Sequence, residues 1–136
     1  MVAEPIDRQN ALRLVADVEE AFGTRDIDRI MSGFTDDITV RFADQPEIQG
    51  KEAVRRFLEA RFGRQKGYKL TKTLRMVDGD MIGNYWFGDW EDAFTGKQMS
   101  GRGTEFWTVR DGKVAVWEAA FSVWDRNAPT KPPCSA

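Results

Sequence analysis

The stretch from Gln98 to Trp124 constrains the fold most, because it reads as one long hairpin whose two arms need a common buried face. Its arms, Gln98 to Val109 and Lys113 to Trp124, are rich in β-branched and aromatic residues and flank Arg110-Asp111-Gly112, a turn sequence. A type I turn with Gly112 left-handed, followed by a G1 bulge, pairs Val109 with Lys113 and sets Glu105 opposite Trp117. That register puts Glu105, Trp107, Val109, Ala115, Trp117, Ala119 and Phe121 on one face and sends Glu118 to the other, with Arg102 as its diagonal partner. A two-residue Asp111-Gly112 turn shifts the pairing by one and brings Glu105 against Glu118, where two carboxylates repel.

Upstream, the apolar spacing of Ala11, Leu14, Val15, Val18 and Phe22 predicts a helix over 7–22, with Asp7 as N-cap and Gly23 at its end. Asp26 caps a second helix with Ile27, Ile30, Met31 and Phe34 on its apolar side, broken at Thr35-Asp36-Asp37. Ile38 to Phe42 alternates as a short strand, and a loop through Pro46 follows. Lys51 to Phe62 is a third amphipathic helix, with Gly63 at C′ and Arg55, Arg56 and Arg61 facing mostly outward. Strands over 68–77 and 81–92 meet at Asp78-Gly79, with Val77 paired to Asp80. A three-residue loop, Phe94-Thr95-Gly96, then pairs Ala93 with Lys97, which places Tyr85 opposite Glu105, Phe87 opposite Gly103 and Asp89 opposite Gly101. The sum is three helices, one short strand and a four-stranded antiparallel meander, an α+β class, in a single domain over 1–125 with a Pro-rich tail over 126–136.

Composition narrows the chemistry. The chain has no histidine, which removes Ser-His-Asp and Cys-His catalysis and the ordinary zinc and facial-triad iron sites. Cys134 is the single cysteine, so no internal disulfide forms, and neither a metal site nor a cofactor is expected. Residues 51–75 hold nine basic and two acidic groups, which reads as a solvated helix face and a guarded edge strand, with no motif for nucleic acid. Met1 to Asn10 carries Glu4, Asp7 and Arg8 without an apolar run, so the expectation is a cytoplasmic protein with no membrane span.

Four local stretches carry a resemblance: Phe22-Gly23-Thr24-Arg25-Asp26, Phe34-Thr35-Asp36-Asp37, Gly50-Lys51-Glu52-Ala53-Val54-Arg55-Arg56-Phe57-Leu58, and Asp111-Gly112-Lys113-Val114. With the order of elements over about 7–125, the chain resembles the nuclear transport factor 2-like superfamily in its small SnoaL-like branch. The resemblance implies a cone-shaped barrel, a curved antiparallel sheet wrapped around three N-terminal helices and a deep apolar cavity. It also implies a homodimer through the outer sheet face, where Trp86, Trp90, Val114 and Val116 are expected. The ketosteroid isomerases of this fold have an Asp base, a Tyr and a protonated acid at the places of Phe42, Val18 and Glu105, so only the acid is retained. Dehydratases of the scytalone type use histidines, and the final acid of limonene-epoxide hydrolases falls on Ala119, so those activities are disfavoured.

Because the fold hosts unrelated activities, function has to be argued from the pocket. Glu105 on an aromatic face, hydrogen-bonded by Tyr85, is a candidate general acid or base for isomerisation, dehydration or hydrolysis of a small hydrophobic molecule. Equally, it is a structural acid satisfied by Tyr85, a backbone amide or Arg102. Phe42, Phe87, Asp89, Trp107, Trp117 and Phe121 are the candidate ligand contacts, with Asp44 near the cavity mouth. Gly101 and Gly103 either leave room for ligand or let the sheet bend. The competing reading is a non-catalytic dimerisation domain.

Overall fold

A computed structural model describes residues 4–129. Helix α1 spans Arg8–Thr24, and the Asp7 side chain caps it by accepting from the Asn10 N–H at 2.7 Å. It runs past Gly23 because Arg25, at φ 59°, takes the left-handed position instead and returns its N–H to Phe22. Helix α2, Ile27–Ser32, starts at the Asp26 cap, and strand β1 follows over Phe34–Phe42, four residues earlier than the alternation of Ile38, Val40 and Phe42 suggests. A two-residue strand β2, Ile48–Gln49, lies inside the expected loop, and α3 covers Lys51–Arg64. Gly63 is therefore internal to α3, not its C′ residue. The helix end is tied elsewhere: Gln65 donates to the Arg61 carbonyl, and Ala93 donates its N–H to the Arg64 carbonyl.

Strands β3 (Gln65–Asp78), β4 (Met81–Asp92), β5 (Gln98–Arg110) and β6 (Lys113–Asp125) form the expected meander. The sheet is larger than that and is not purely antiparallel. Its order is β2-β1-β6-β5-β4-β3, with β1 parallel to β6, so it is a mixed, six-stranded, curved sheet that does not close into a barrel. Its hollow takes the helices, and Val15, Phe22, Val54, Leu58 and Phe62 bury against Ile38, Val40, Ile82 and Trp107. β3 is a sheet edge and carries Lys66 and Lys69 exposed, a disposition that discourages edge-to-edge pairing.

Register departs from expectation at all three hairpins. Asp92 accepts from the Phe94 N–H and the Thr95 hydroxyl, and Gly96 donates to the Asp92 carbonyl, so the β4–β5 loop closes over four residues, 93–96. The pairing moves by one, setting Asn84 opposite Glu105 and Tyr85 opposite Thr104. A one-residue shift exchanges faces. Tyr85, Phe87 and Asp89 thus lie on the outer face, and Trp86 and Trp90 turn inward and are buried. The β5–β6 turn is the two-residue form, with Asp111 and Gly112 both at positive φ, and Arg110 pairs with Lys113. An extra residue at Ala115 then shifts the ladder, which sets Glu105 opposite Ala119 and sends Glu118 opposite Phe106. Trp117 faces Trp107, not Glu105, but the inward set expected for this hairpin is preserved. At the β3–β4 turn, Asp78 pairs with Met81, not Val77 with Asp80, and a bulge at Arg75 leaves Leu70, Lys72 and Leu74 opposite Gly88, Trp86 and Asn84.

Two glycines shape the hollow. A Cβ on Gly103 would meet the Ala120 carbonyl at 2.3 Å and the Phe121 Cβ at 2.4 Å, so the close approach of β6 needs glycine there. A Cβ on Gly88 would come within 2.6 Å of the Tyr68 ring, so Gly88 lets Tyr68 lie down on the sheet.

Candidate functional site

Glu105 stands at the inner end of the hollow, 1% exposed. Lys72 Nζ donates to both its oxygens at 3.0 and 2.8 Å, Trp117 Nε1 donates to Oε1 at 3.1 Å and Asn84 Nδ2 to Oε2 at 3.1 Å. Each oxygen thus accepts two hydrogen bonds, close to the full capacity of a carboxylate. Lys72 is equally enclosed, its side chain 5% exposed and its Nζ 5.6 Å from the Trp107 ring centre and 5.7 Å from that of Phe22. The room beside this dyad is about 30 Å³, enough for roughly one water. Tyr85 takes no part: it lies on the other face with the Arg75 guanidinium 5.4 Å from its ring.

The usable space is elsewhere on the same face. A cleft of about 740 Å³ opens between the last turns of α3, the end of β1 and the β4–β5 turn. Its walls are Phe42, Phe57, Trp90, Met99, Phe121 and Val123. Phe42 anchors them, with Phe121 at 4.6 Å, Phe57 at 5.0 Å and Trp117 at 5.5 Å between ring centres. Asp44 sits at the rim, as the sequence reading places it. Asp92 and Arg64 form a two-pronged pair at 3.1 and 3.1 Å beside it, and the Arg64 guanidinium holds the Asp92 carboxyl down at about 2.

Where the cleft narrows toward the Glu105 chamber, Arg61 and Gln65 line both spaces and Tyr68 lines the inner one. The Arg61 guanidinium stacks 4.4 Å from the Phe42 ring centre; burial pushes its pKa below the ordinary arginine value, and nearby Tyr68 opposes that. Gln65 is 4% exposed, and its Oε1 has no donor. Burial, chiefly, pushes the Tyr68 hydroxyl up to about 12, so it is a donor at neutral pH; Arg61 lowers it and Glu105 adds to the rise.

Of the eight site residues expected, Glu105, Trp107 and Trp117 fall in the packed inner end, and Phe42 and Phe121 in the cleft wall. Phe87 lies on the outer face 6.4 Å from Trp124, and Asp89 there accepts from the Ser100 hydroxyl at 2.5 Å. Arg61, expected to face mostly outward, instead turns into the cleft over Phe42, and Gln65, Tyr68 and Lys72 join the site without having been expected there. Their signals are faint: Lys72 alternates with Leu70 and Leu74, and Arg61 continues the stripe of Val54, Phe57 and Leu58 by one helical step.

Helices held in the hollow of a curved, unclosed sheet, with an aromatic cleft at one end, define an α+β cone of the nuclear transport factor 2-like kind. The chain belongs to the SnoaL-like domain family, which matches residues 15–117. No curated protein matches its sequence. Among solved structures it is similar to a candidate polyketide cyclase from Xanthomonas campestris pv. campestris, at 24% identity and TM-score 0.73 over 85% of this chain and 92% of that one. It is also similar to SalBIII, an epoxide hydrolase/cyclase-like enzyme of pyran ring formation in the polyether salinomycin, at 15% identity and TM-score 0.78 over 88% and 98%. TerC, co-crystallised with polyporic acid, aligns at 20% identity and TM-score 0.73 over 83% and 92%. At these identities the likeness establishes the fold.

Proposed function

We propose that this protein binds a small hydrophobic or aromatic molecule in the cleft walled by Phe42, Phe57, Trp90 and Phe121. The observation that carries the reading is the cleft itself, about 740 Å³ of mostly apolar, ring-lined space that the helices leave open. Structural relatives named for ring formation, or crystallised with polyporic acid, are in keeping with a small organic ligand. A role for Glu105 in turnover has weaker support, because its oxygens are fully engaged and the space beside it is about 30 Å³. The test is a thermal-shift screen against aromatic, steroid-like and terpenoid compounds, where a ligand held at 100 times its dissociation constant stabilises by about 2.7 kcal/mol. Hits should quench tryptophan emission and lose affinity in Trp90→Ala. Hits that bind Trp90→Ala and Phe121→Ala unchanged would place the ligand elsewhere and end this reading.

A homodimer through the outer sheet face has its own support, although of the residues the sequence suggested only Val116 lies on that face. Trp86, Trp90 and Val114 are buried inside, whereas Phe87, Phe106 and Met76 stand 38%, 45% and 54% exposed on the outer face. An apolar patch of this kind, bordered by both Arg102 and Glu118, suits a second copy related by a two-fold axis. Light scattering should give twice the chain mass for the wild type and the chain mass for Phe106→Asp. A monomeric wild type at tens of micromolar would remove the proposal.

A further inference from the structure

Charge accounting around the two spaces leaves one cation over. Lys72 is neutralised by Glu105 and Arg64 by Asp92, both within salt-bridge distance. The Arg61 side chain, half-buried between them, has neither a salt bridge nor a hydrogen bond among the described residues, and its guanidinium lies against the faces of Phe42 and Phe57 at 4.4 and 5.8 Å. Asp44 is the remaining acid of the cleft, but it is exposed at the rim and forms no salt bridge with Arg61. Beside Arg61, the Gln65 carboxamide is buried with its oxygen unpartnered, and the half-buried Tyr68 side chain lines the same chamber. Buried polar groups are ordinarily satisfied, so the open Gln65 oxygen, beside an unpaired guanidinium and a phenol at the deep end of an apolar cleft, marks a place where a ligand's polar end belongs.

We propose that Arg61, with Gln65 and Tyr68, receives the carboxylate of an aromatic carboxylic acid whose ring system lies between Phe42, Trp90 and Phe121. This rests on the ligand-binding reading of the cleft and adds to it the charge of the ligand and the residue that selects it. The guanidinium supplies a planar fork matched to a carboxylate. Tyr68 offers an O–H donor, and Gln65 offers its N–H donors to the carboxylate while its oxygen can take a ligand hydroxyl or an ordered water. The aromatic walls hold the ring, and their low polarity makes a single charge-assisted contact more selective than it would be in water.

The experiment compares matched probes: benzoate, naphthalene-2-carboxylate and anthracene-2-carboxylate, each beside its primary carboxamide, titrated by tryptophan fluorescence and by thermal shift. The wild type should bind at least one acid about tenfold or more tighter than its amide. Arg61→Gln should erase that preference while still binding the amide, and Tyr68→Phe should reduce it by less. Arg61→Lys, which keeps the charge without the fork, should fall between and serves if the Gln variant does not fold. Acid and amide binding equally to the wild type in the cleft would overturn the carboxylate assignment and leave the apolar reading intact. Binding of none of the six would overturn both.

Discussion

At the inner end of the hollow, Lys72, Asn84 and Trp117 supply four hydrogen bonds to one buried carboxylate, whereas toward the cleft the Gln65 oxygen has no donor and the Arg61 guanidinium forms no salt bridge among the described residues, both beside a larger space. Both groups sit under the same aromatic ceiling, and Arg61, Gln65, Tyr68, Lys72 and Glu105 all border one small chamber. The difference teaches that a charged residue in a pocket is not a functional residue by virtue of burial. What separates the two charged groups, Glu105 and Arg61, is whether the protein itself has already filled their bonding directions. A saturated dyad contributes to the fold, and an unsaturated cluster is available to a ligand.

The largest effect should come from opening the saturated end. Lys72→Met leaves Glu105 without its counter-charge and should cost about 3–5 kcal/mol in urea unfolding. Pairing it with Glu105→Leu should recover part of that loss, because neither charge is then stranded, with Asn84 and Trp117 still missing an acceptor. A single-variant loss below about 1 kcal/mol would mean that water reaches the dyad, and the contrast between the two ends would fail.

Glu105→Gln is a milder probe, since it keeps the shape and removes the negative charge facing Lys72. It should lower stability by about 1–3 kcal/mol and leave affinity for a cleft ligand within about twofold. Should it instead abolish turnover or binding of an identified ligand in a folded protein, Glu105 would move into the functional site.

Tyr68 sharpens the comparison through pH. Its folded pKa of about 12 lies above the ordinary tyrosine value near 10, so the unfolded chain releases the proton first as pH rises. The stability associated with the neutral hydroxyl is complete below pH 10 and is lost progressively toward pH 12, by about 2 kcal/mol. In Tyr68→Phe this part of the alkaline decline should vanish, read as a smaller drop in urea midpoint between pH 9 and 11. An unchanged decline would show that water or another partner solvates the hydroxyl. Asp92 works in the opposite sense: held at about 2 by Arg64, it favours the fold above the usual aspartate range and loses that contribution as pH falls toward 2.

The elements were legible because their causes are local. Asp7 and Asp26 cap their helices as expected, and the inward set of β5 and β6 survives because the expected and observed registers differ by an even number of residues. The face of β4 was not legible. One hydrogen-bonding side chain, Asp92, lengthens its own turn by a residue and thereby exchanges Tyr85, Phe87 and Asp89 for Asn84, Trp86 and Trp90. Likewise the strand pairing of β1 with β6 is a contact between residues more than seventy positions apart, which periodicity within either segment does not encode.

Sequence by itself determined that this chain forms helices and a long-stranded meander with one acid, Glu105, on an aromatic face, because caps, turns and alternation act over a few residues. It also determined that histidine plays no part in any site these residues form. Only the tertiary structure decided what Glu105 faces. A bulge at Arg75 and a turn capped by Asp92 bring Lys72 and Asn84 to it from two other strands, and the end of α3 brings Arg61 to the cleft. The physical reason is that a polar group's role depends on the partners that packing assembles around it, and those partners come from parts of the chain that no local pattern connects.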